Sequence, residues 1–206
     1  MALGDPYATR TELKSYVGDS ETTDDAKHDD ALAAASRWID HFCRRQFNVA
    51  SSATARVFYP DGYSLTDVDD INTTTDLVIA TDTGNDGTYE TTWASTDYQL
   101  EPLNGINDGE SGWPYWKIRA VGSYRFPCVS SDERAPLQIT AKWGWTAVPG
   151  PVKHACLLLA TEALKLAREA PFGVAGFGAF GAVRVRDNPR AESMLEPYRR
   201  YPVLVA

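Results

Sequence analysis

One stretch constrains the rest of this chain: from Pro149 to about Arg168 it reads PGPVKHACLLLATEALKLAR. Val152, Ala155, Cys156, Leu159, Ala163 and Leu166 recur at three- and four-residue spacing, and Leu157, Leu158, Ala160 and Leu164 fill most of the remaining circumference. A helix apolar nearly all round belongs at the centre of a fold, because no face of it gains by meeting water. Pro151 suits a first helical turn, where a missing N–H costs nothing, and QITAKWGWTAVPGP ahead of it reads as a strand followed by a turn.

Other helices can be placed around this one. Thr9 and Glu12 have the spacing of a capping box and open a short helix through Leu13, Tyr16 and Val17 that Gly18 can end. From about Asp24, acids lead, Arg44 and Arg45 close, and Leu32, Ala35, Ile39, Phe42 and Cys43 form an apolar stripe, as the helix dipole and the helical period require. One side of this second long helix is rich in alanine, which permits close packing against the helix that carries Cys156. Near the end of the chain Asn188 reads as an N-cap, Pro189 as a first helical residue and Pro197 as a stop, after which YPVLVA is extended and apolar.

Between about Ala53 and Trp145 the character changes to short β-type runs separated by glycine, asparagine and aspartate: TARVFY, DLVIAT, YETTW, DYQLEP, YWKIRAV and PLQITAKW. Leu137, Ile139, Ala141 and Trp143 alternate as a half-buried strand does, and GNDG at 84–87 reads as a hairpin turn. Five of the six tryptophans lie here, all but Trp38. The region therefore has its own aromatic core or an aromatic contact face. The expected fold class is α+β: an α-helical core of three to four helices from residues 1–52 and 147–206, with a large β-rich insertion, 53–146, between the second and third helices.

A chain of 206 residues with 43% hydrophobic content can bury a sizeable core, which excludes disorder. Its formal charge of −8 disfavours adhesion to nucleic acid or an anionic membrane. Cys43, Cys128 and Cys156 make an odd set without CxxC spacing, expected reduced. The N-terminus lacks a basic segment followed by an apolar run, and no apolar stretch approaches the roughly 18 residues of a membrane span, so synthesis and assembly in cytosol are expected.

Sites of chemistry are hard to find. Gly176, Gly178 and Gly181 satisfy G-x-G-x-x-G, but the loop follows a helix where a dinucleotide site needs a strand and a βαβ unit. Asp82, Asp86 and Gly87 fail as a calcium loop, because position three falls on Gly84 and position twelve on Trp93. His154 and Cys156 point to different helix faces, and His28 and His41 have no chelating neighbour at a suitable interval. The acids at 24, 25, 29 and 30 read as a helix N-terminus, and Asp67, Asp69 and Asp70 as a solvated β-loop. No nucleophile is paired with a base. No catalytic, cofactor-binding or metal-binding residue is assigned, no cofactor is expected, and the chain reads as a protein without enzymatic activity.

The order of parts carries a resemblance. An alanine-rich helix ending W-I-x-x-F-C-x-R-x-F (Trp38 to Phe47), a β-rich insertion, a strand ending K-W-G-W (Lys142 to Trp145) and V-P-x-P-V-K-x-A-C-x-L-L-A (Val148 to Ala160) together resemble the head-to-tail adaptor, or connector, proteins of long-tailed bacteriophages. The glycine-rich loop APFGVAGFGAFGAVRV (Ala170 to Val185) is similar to those of phages infecting actinobacteria. The resemblance covers nearly the whole chain. It implies a structural virion protein in the neck, forming a ring, usually dodecameric, that docks on the portal protein, contacts the next neck or tail-completion protein, and lets DNA pass through its lumen without specific binding. It implies assembly in the host cytoplasm.

Two apolar segments are left over for partners. Phe172, Val174, Phe177 and Phe180 lie in a loop too rich in glycine to hold its own shape, and are expected at an interface with neighbours. Arg199, Arg200, Tyr201, Val203, Leu204 and Val205 form an extended tail suited to an edge or groove, and the resemblance makes the portal its receiver. Two other readings are a carbohydrate- or host-binding module built on the aromatic insertion, and a nucleotide-dependent enzyme using the glycine loop.

Overall fold

A computed structural model of the chain describes residues 2–127, 133–169, 174–176, 182–184 and 188–201. The chain divides into two compact units, one of Leu3–Phe47 with Val148–Pro202 and one of Asn48–Ala147. Among the described residues there are four α-helices and several antiparallel sheets, an α+β fold.

The first unit is helical. Helix α1 (Arg10–Val17) opens with the capping box: Thr9 Oγ1 accepts from the Glu12 N–H at 3.2 Å, and the Thr9 N–H donates back to the Glu12 carboxylate at 2.7 Å. Gly18 ends it at φ 72°. Helix α2 (Asp25–Cys43) buries Leu32, Ala35, Ile39 and Cys43, and Arg44 ends it in the left-handed region at φ 53°. Helix α3 (Gly150–Glu169) meets α2 closely enough that Ser36 Oγ lies 3.4 Å from Cys156 Sγ, an approach that buried Ala35 and Ala155 leave room for. Burial on α3 is one-sided. Val152, Ala155, Cys156, Leu157 and Ala160 are covered, but Leu158 and Leu159 are only half-buried and Ala163 is exposed. The apolar circumference is thus wider than the face this chain's own helices cover.

Helix α4 (Pro189–Leu195) begins as its sequence suggests, with Asn188 Oδ1 accepting from the Ala191 N–H at 2.9 Å and Pro189 in the first turn. Pro197 does not stop the chain outright. It lies inside a single 3₁₀ turn, Glu196–Tyr198, that carries Tyr198 into the core, since proline is tolerated in a first turn.

Glu12 also joins α1 to α3, because its second oxygen accepts from Lys153 Nζ at 2.8 Å. The lysine and the Thr9 donors together hold the Glu12 carboxyl down at about 2, against 4.5 for an ordinary glutamate. The stabilisation is complete above about pH 4.5 and is lost as pH falls toward 2, because a depressed carboxylate must be protonated in the unfolded chain first. Both partners are over a third exposed, so solvent screening limits the pair and cap together to about 0.5–1 kcal/mol. Urea titrations at a series of pH values should show Glu12→Gln less stable than the parent at pH 6, with the two converging near pH 2.

The second unit is β. Its strands are β1 (Thr54–Phe58), β2 (Leu65–Ile71), β3 (Val78–Thr81), β4 (Thr91–Thr92), β5 (Tyr98–Glu101), β6 (Ile106–Asn107), β7 (Glu110–Ser111), β8 (Tyr115–Ala120) and β9 (Leu137–Ala141). They form a sheet in the order β1-β9-β3-β4, a second in the order β2-β8-β5, and the separate β6–β7 hairpin. Every pairing is antiparallel. Inward positions Ile79, Leu137, Ile139 and Ala141 from the first sheet join Val68, Ile71, Ile118 and Ala120 from the second in one core with Trp93, Phe126 and Trp143. Trp113 and Trp145 are also buried and meet at 4.9 Å, so most of the tryptophans serve as interior.

Strand β2 was hidden in the sequence because its acids suggested a solvated loop. Asp67 faces Lys117 at 3.4 Å and Asp69 meets Arg56 at 2.5 Å, while Asp70 is buried and accepts from Trp145 Nε1 at 3.0 Å. The 82–90 connection between β3 and β4 is organised by buried Asp82, which accepts from the N–H groups of Asp86 and Gly87 at 3.3 and 2.7 Å. That is a turn built on a carboxylate, and it agrees with the hairpin reading of 84–87.

The base of this unit is stitched by backbone. Trp143 O accepts from Ala50 N at 2.7 Å, Lys142 O accepts from Asn72 N at 2.8 Å, the Gly144 N–H donates to Asp70 O at 2.7 Å, and the Trp145 N–H donates to Asn48 O at 3.1 Å. The K-W-G-W segment therefore lies between two other segments, and Gly144 passes Asn48 so closely that a Cβ there would stand 1.8 Å from its carbonyl oxygen.

Candidate functional site

The described part of the C-terminal tail leaves from a surface of stacked rings. On α2, Trp38 and Phe42 are one turn apart, and their rings lie 5.2 Å apart at 11°, as i,i+4 spacing allows. Phe42 was expected in the buried stripe, but it is half-buried and Trp38 is 39% exposed. After the 3₁₀ turn the chain becomes extended at Arg199 (φ −73°, ψ 133°). The Arg200 N–H then donates to Cys43 O at 2.9 Å, satisfying a carbonyl that the end of α2 leaves open.

That bond brings Arg199 over Phe42 at 4.9 Å and over Tyr201 at 5.2 Å. Glu196 ion-pairs with Arg199 at 3.7 Å and accepts from the Tyr201 hydroxyl. Trp38, Phe42, Arg199 and Tyr201 thus form a ladder of ring, ring, cation and ring, each cation–ring contact contributing about 0.5–1 kcal/mol at such exposure. Its effect is to fix the direction in which the chain leaves at Tyr201, itself 62% exposed. Of the tail residues expected to dock, Arg199, Arg200 and Tyr201 are brought together here; Val203, Leu204 and Val205 lie outside the described residues. Sequence reasoning missed Trp38, Phe42 and Glu196. The i,i+4 aromatic pair was the available signal.

Of the glycine-loop residues, Phe172, Phe177 and Phe180 lie outside the described residues. Val174 begins strand β10 (Val174–Gly176), which pairs antiparallel with β11 (Ala182–Arg184) in register Val174↔Arg184, Ala175↔Val183 and Gly176↔Ala182. A strand does carry Gly176, yet it pairs antiparallel with β11, whereas a dinucleotide fingerprint needs a parallel βαβ crossover.

Titratable groups elsewhere are occupied structurally. Buried His28 bonds Asp24 O through Nδ1 at 2.8 Å and lies 3.4 Å from Asp19 through Nε2, at the back of an open cleft of about 560 Å³ also lined by Val17, Thr161 and Lys165. Burial pushes the Cys43 thiol up to about 12 and raises that of Cys156; both are free thiols, inert in this setting, while Cys128 lies outside the described residues. Among the described residues no group of three or more histidine, cysteine, aspartate or glutamate side chains could hold a metal ion, and no helix is long and apolar enough to cross a membrane.

No family model matches the chain, and none of the curated proteins matches it in sequence. Solved structures do match in fold. Over 96% of its length the chain is similar to a chain from the neck of an empty gene transfer agent particle computed with C6 symmetry, with 92% of that chain covered, 19% identity and a TM-score of 0.53. It is similar over the same 96% to a chain from the virion of a native gene transfer agent particle, with 92% of that chain covered, 20% identity and a TM-score of 0.52. The fold of this chain, insertion included, is shared with these two chains.

Proposed function

We propose that this chain is a structural subunit of a phage-like virion neck: a head-to-tail adaptor whose copies form a ring, dodecameric in our reading, that docks on the portal and joins the DNA-filled capsid to the tail. The observation that carries the reading is the match of both units, over nearly the full length of each chain, to a neck-particle chain. A net charge of −8 supports it, since DNA can pass a lumen built of such subunits without being gripped. The partially uncovered α3 and the exposed aromatic root at Tyr201 support it as surfaces for partners. The protein acts in this reading without catalysis or cofactor, as part of the virion. It is assembled in the host cytoplasm, with a further neck or tail-completion protein on its other side.

The portal receives the C-terminal tail. Arg199 and Arg200 anchor its root, Tyr201 directs it, and Val203, Leu204 and Val205 supply apolar contact. Tyr201, the described residue of the tail's free end, is 62% exposed, so a protein truncated after Arg200 should fold normally and fail to sediment with portal-bearing heads. Normal docking of the truncated protein, or loss of its folding, would count against the tail as an assembly element.

A further inference from the structure

Strand edges distinguish one part of the β unit from the rest. β4 is two residues long, and β5 runs into Pro102 and carries Glu101 ion-paired to Arg119. β2 is irregular between Asp67 and Ile71, and its Asp67 N–H is taken by the Asp61 carboxylate at 2.7 Å. Each of these is a way of blunting an edge against stray pairing. β1 has none of them. It pairs with β9 without a break from Thr54 to Phe58, contains no proline, lysine or acid, and has no described strand on its other side. Its one charge, Arg56, lies over Trp143 at 4.7 Å and is bonded to Asp69. Ala55 and Val57, the latter 54% exposed, continue across the same sheet face as Gln138, Thr140 and exposed Val78, an uncharged surface.

A strand pair without a sheet is present in the same chain. Among the described residues β10 and β11 pair only with each other, and a two-stranded ribbon is marginal in water unless it packs on something. Val174, Ala175, Gly176, Ala182, Val183 and Arg184 include no acid. In a chain of charge −8, contacts between copies generally bring acids together; the hairpin and the β1 edge can meet without that repulsion. Three-residue strands also fit within the five residues of β1.

We propose that the β10–β11 hairpin of one copy adds to the free edge of β1 in the next, extending its β1-β9-β3-β4 sheet by backbone hydrogen bonds. Donor and acceptor are different surfaces, so the contact is heterologous and repeats around a closed ring. The inference rests on the ring reading above and names the surfaces that build it.

Cross-linking tests it. In a Cys128→Ser background, chains carrying Val57→Cys and chains carrying Ala175→Cys are mixed and oxidised. The mixture should give disulfide-linked heterodimers, and a chain with both substitutions should give a ladder of covalent multimers. Val57→Lys, at an exposed position that does not disturb folding, should lower the yield of the Ala175-to-β1 link by roughly tenfold when paired with Ala55→Cys. Rings seen by electron microscopy without the heterodimer link would overturn this contact and leave the ring standing, whereas absence of rings with and without portal would overturn both. A double variant that closes within one chain, or links formed only between two Val57→Cys chains, would also refute the proposal.

Discussion

Replacing Gly144 with alanine should strongly destabilise the β unit. The residue sits at φ 106°, a region that side chains rarely adopt, and the added Cβ would stand 1.8 Å from Asn48 O and 2.8 Å from Asn48 C. These are backbone atoms, so nothing flexible can swing aside, and separating the segments breaks the Gly144–Asp70 and Trp145–Asn48 bonds together. Backbone strain of this kind costs about 1–3 kcal/mol and the two lost bonds about 1 kcal/mol each, against a typical total stability of roughly 5–15 kcal/mol. At about 2–4 °C per kcal/mol, the melting temperature should fall by about 10 °C or more. Gly109→Ala supplies the comparison: its φ is 82°, but no atom lies within 4 Å of the added Cβ, so only conformational strain is paid. Thermal melts by near-UV circular dichroism, which reports the buried tryptophans, check both; equal melting temperatures for the two variants would refute the steric account.

The second large effect is expected at Tyr7. Its ring is fully buried edge-on to Phe47 at 5.6 Å, and Phe47 in turn meets Tyr198 at 5.9 Å. Its hydroxyl donates to the Asp40 carboxylate and accepts from the Phe47 N–H at 3.0 Å, and its own N–H donates to Ser36 Oγ at 3.0 Å. Burial pushes the Tyr7 phenol well above its usual range and also raises the Asp40 carboxyl, so this is a desolvated polar pair inside an aromatic cluster. Tyr7→Ala empties the space and should cost about 3–5 kcal/mol. Tyr7→Phe keeps the ring and strands the Phe47 N–H, for about 1–3 kcal/mol. Denaturant titration of both variants separates packing from hydrogen bonding, and a Tyr7→Phe variant as stable as the parent would show the hydroxyl to be dispensable.

Helix ends were the most legible part of the sequence, because the signals are local: Thr9, Gly18 and Asn188 are each satisfied by a bond within a few residues, and Pro189 sits in a first turn where no donor is needed. Strands with one apolar face, such as β9, were legible for the same reason. β2 was not: Asp70 points inward to Trp145, a partner 75 positions away that no local pattern shows. On α3 the apolar count was correct but its consequence was overstated, since Leu159 and Ala163 meet too little of this chain to be buried. The tail root was partly legible. Its arginines were identified as a polar base, but the ring of Phe42 that one of them covers read as core, because a helical stripe does not announce where its edge meets solvent.

Because Trp145 N is bonded to Asn48 O, the 100-residue β unit, Asn48 through Ala147, begins and ends at one point. For the helices this changes the polymer problem. Bringing α3 back to α2 across 100 unstructured residues is costlier than across a handful by about 3 kcal/mol, since each doubling of a loop adds about 0.6 kcal/mol. Once its base has closed, the β unit acts as a tether a few residues long, whatever its internal length. Segments can lengthen or shorten between Ala50 and Lys142 with little penalty to the helical fold, which leaves the outer turns free to diverge while the framework that carries the tail stays the same.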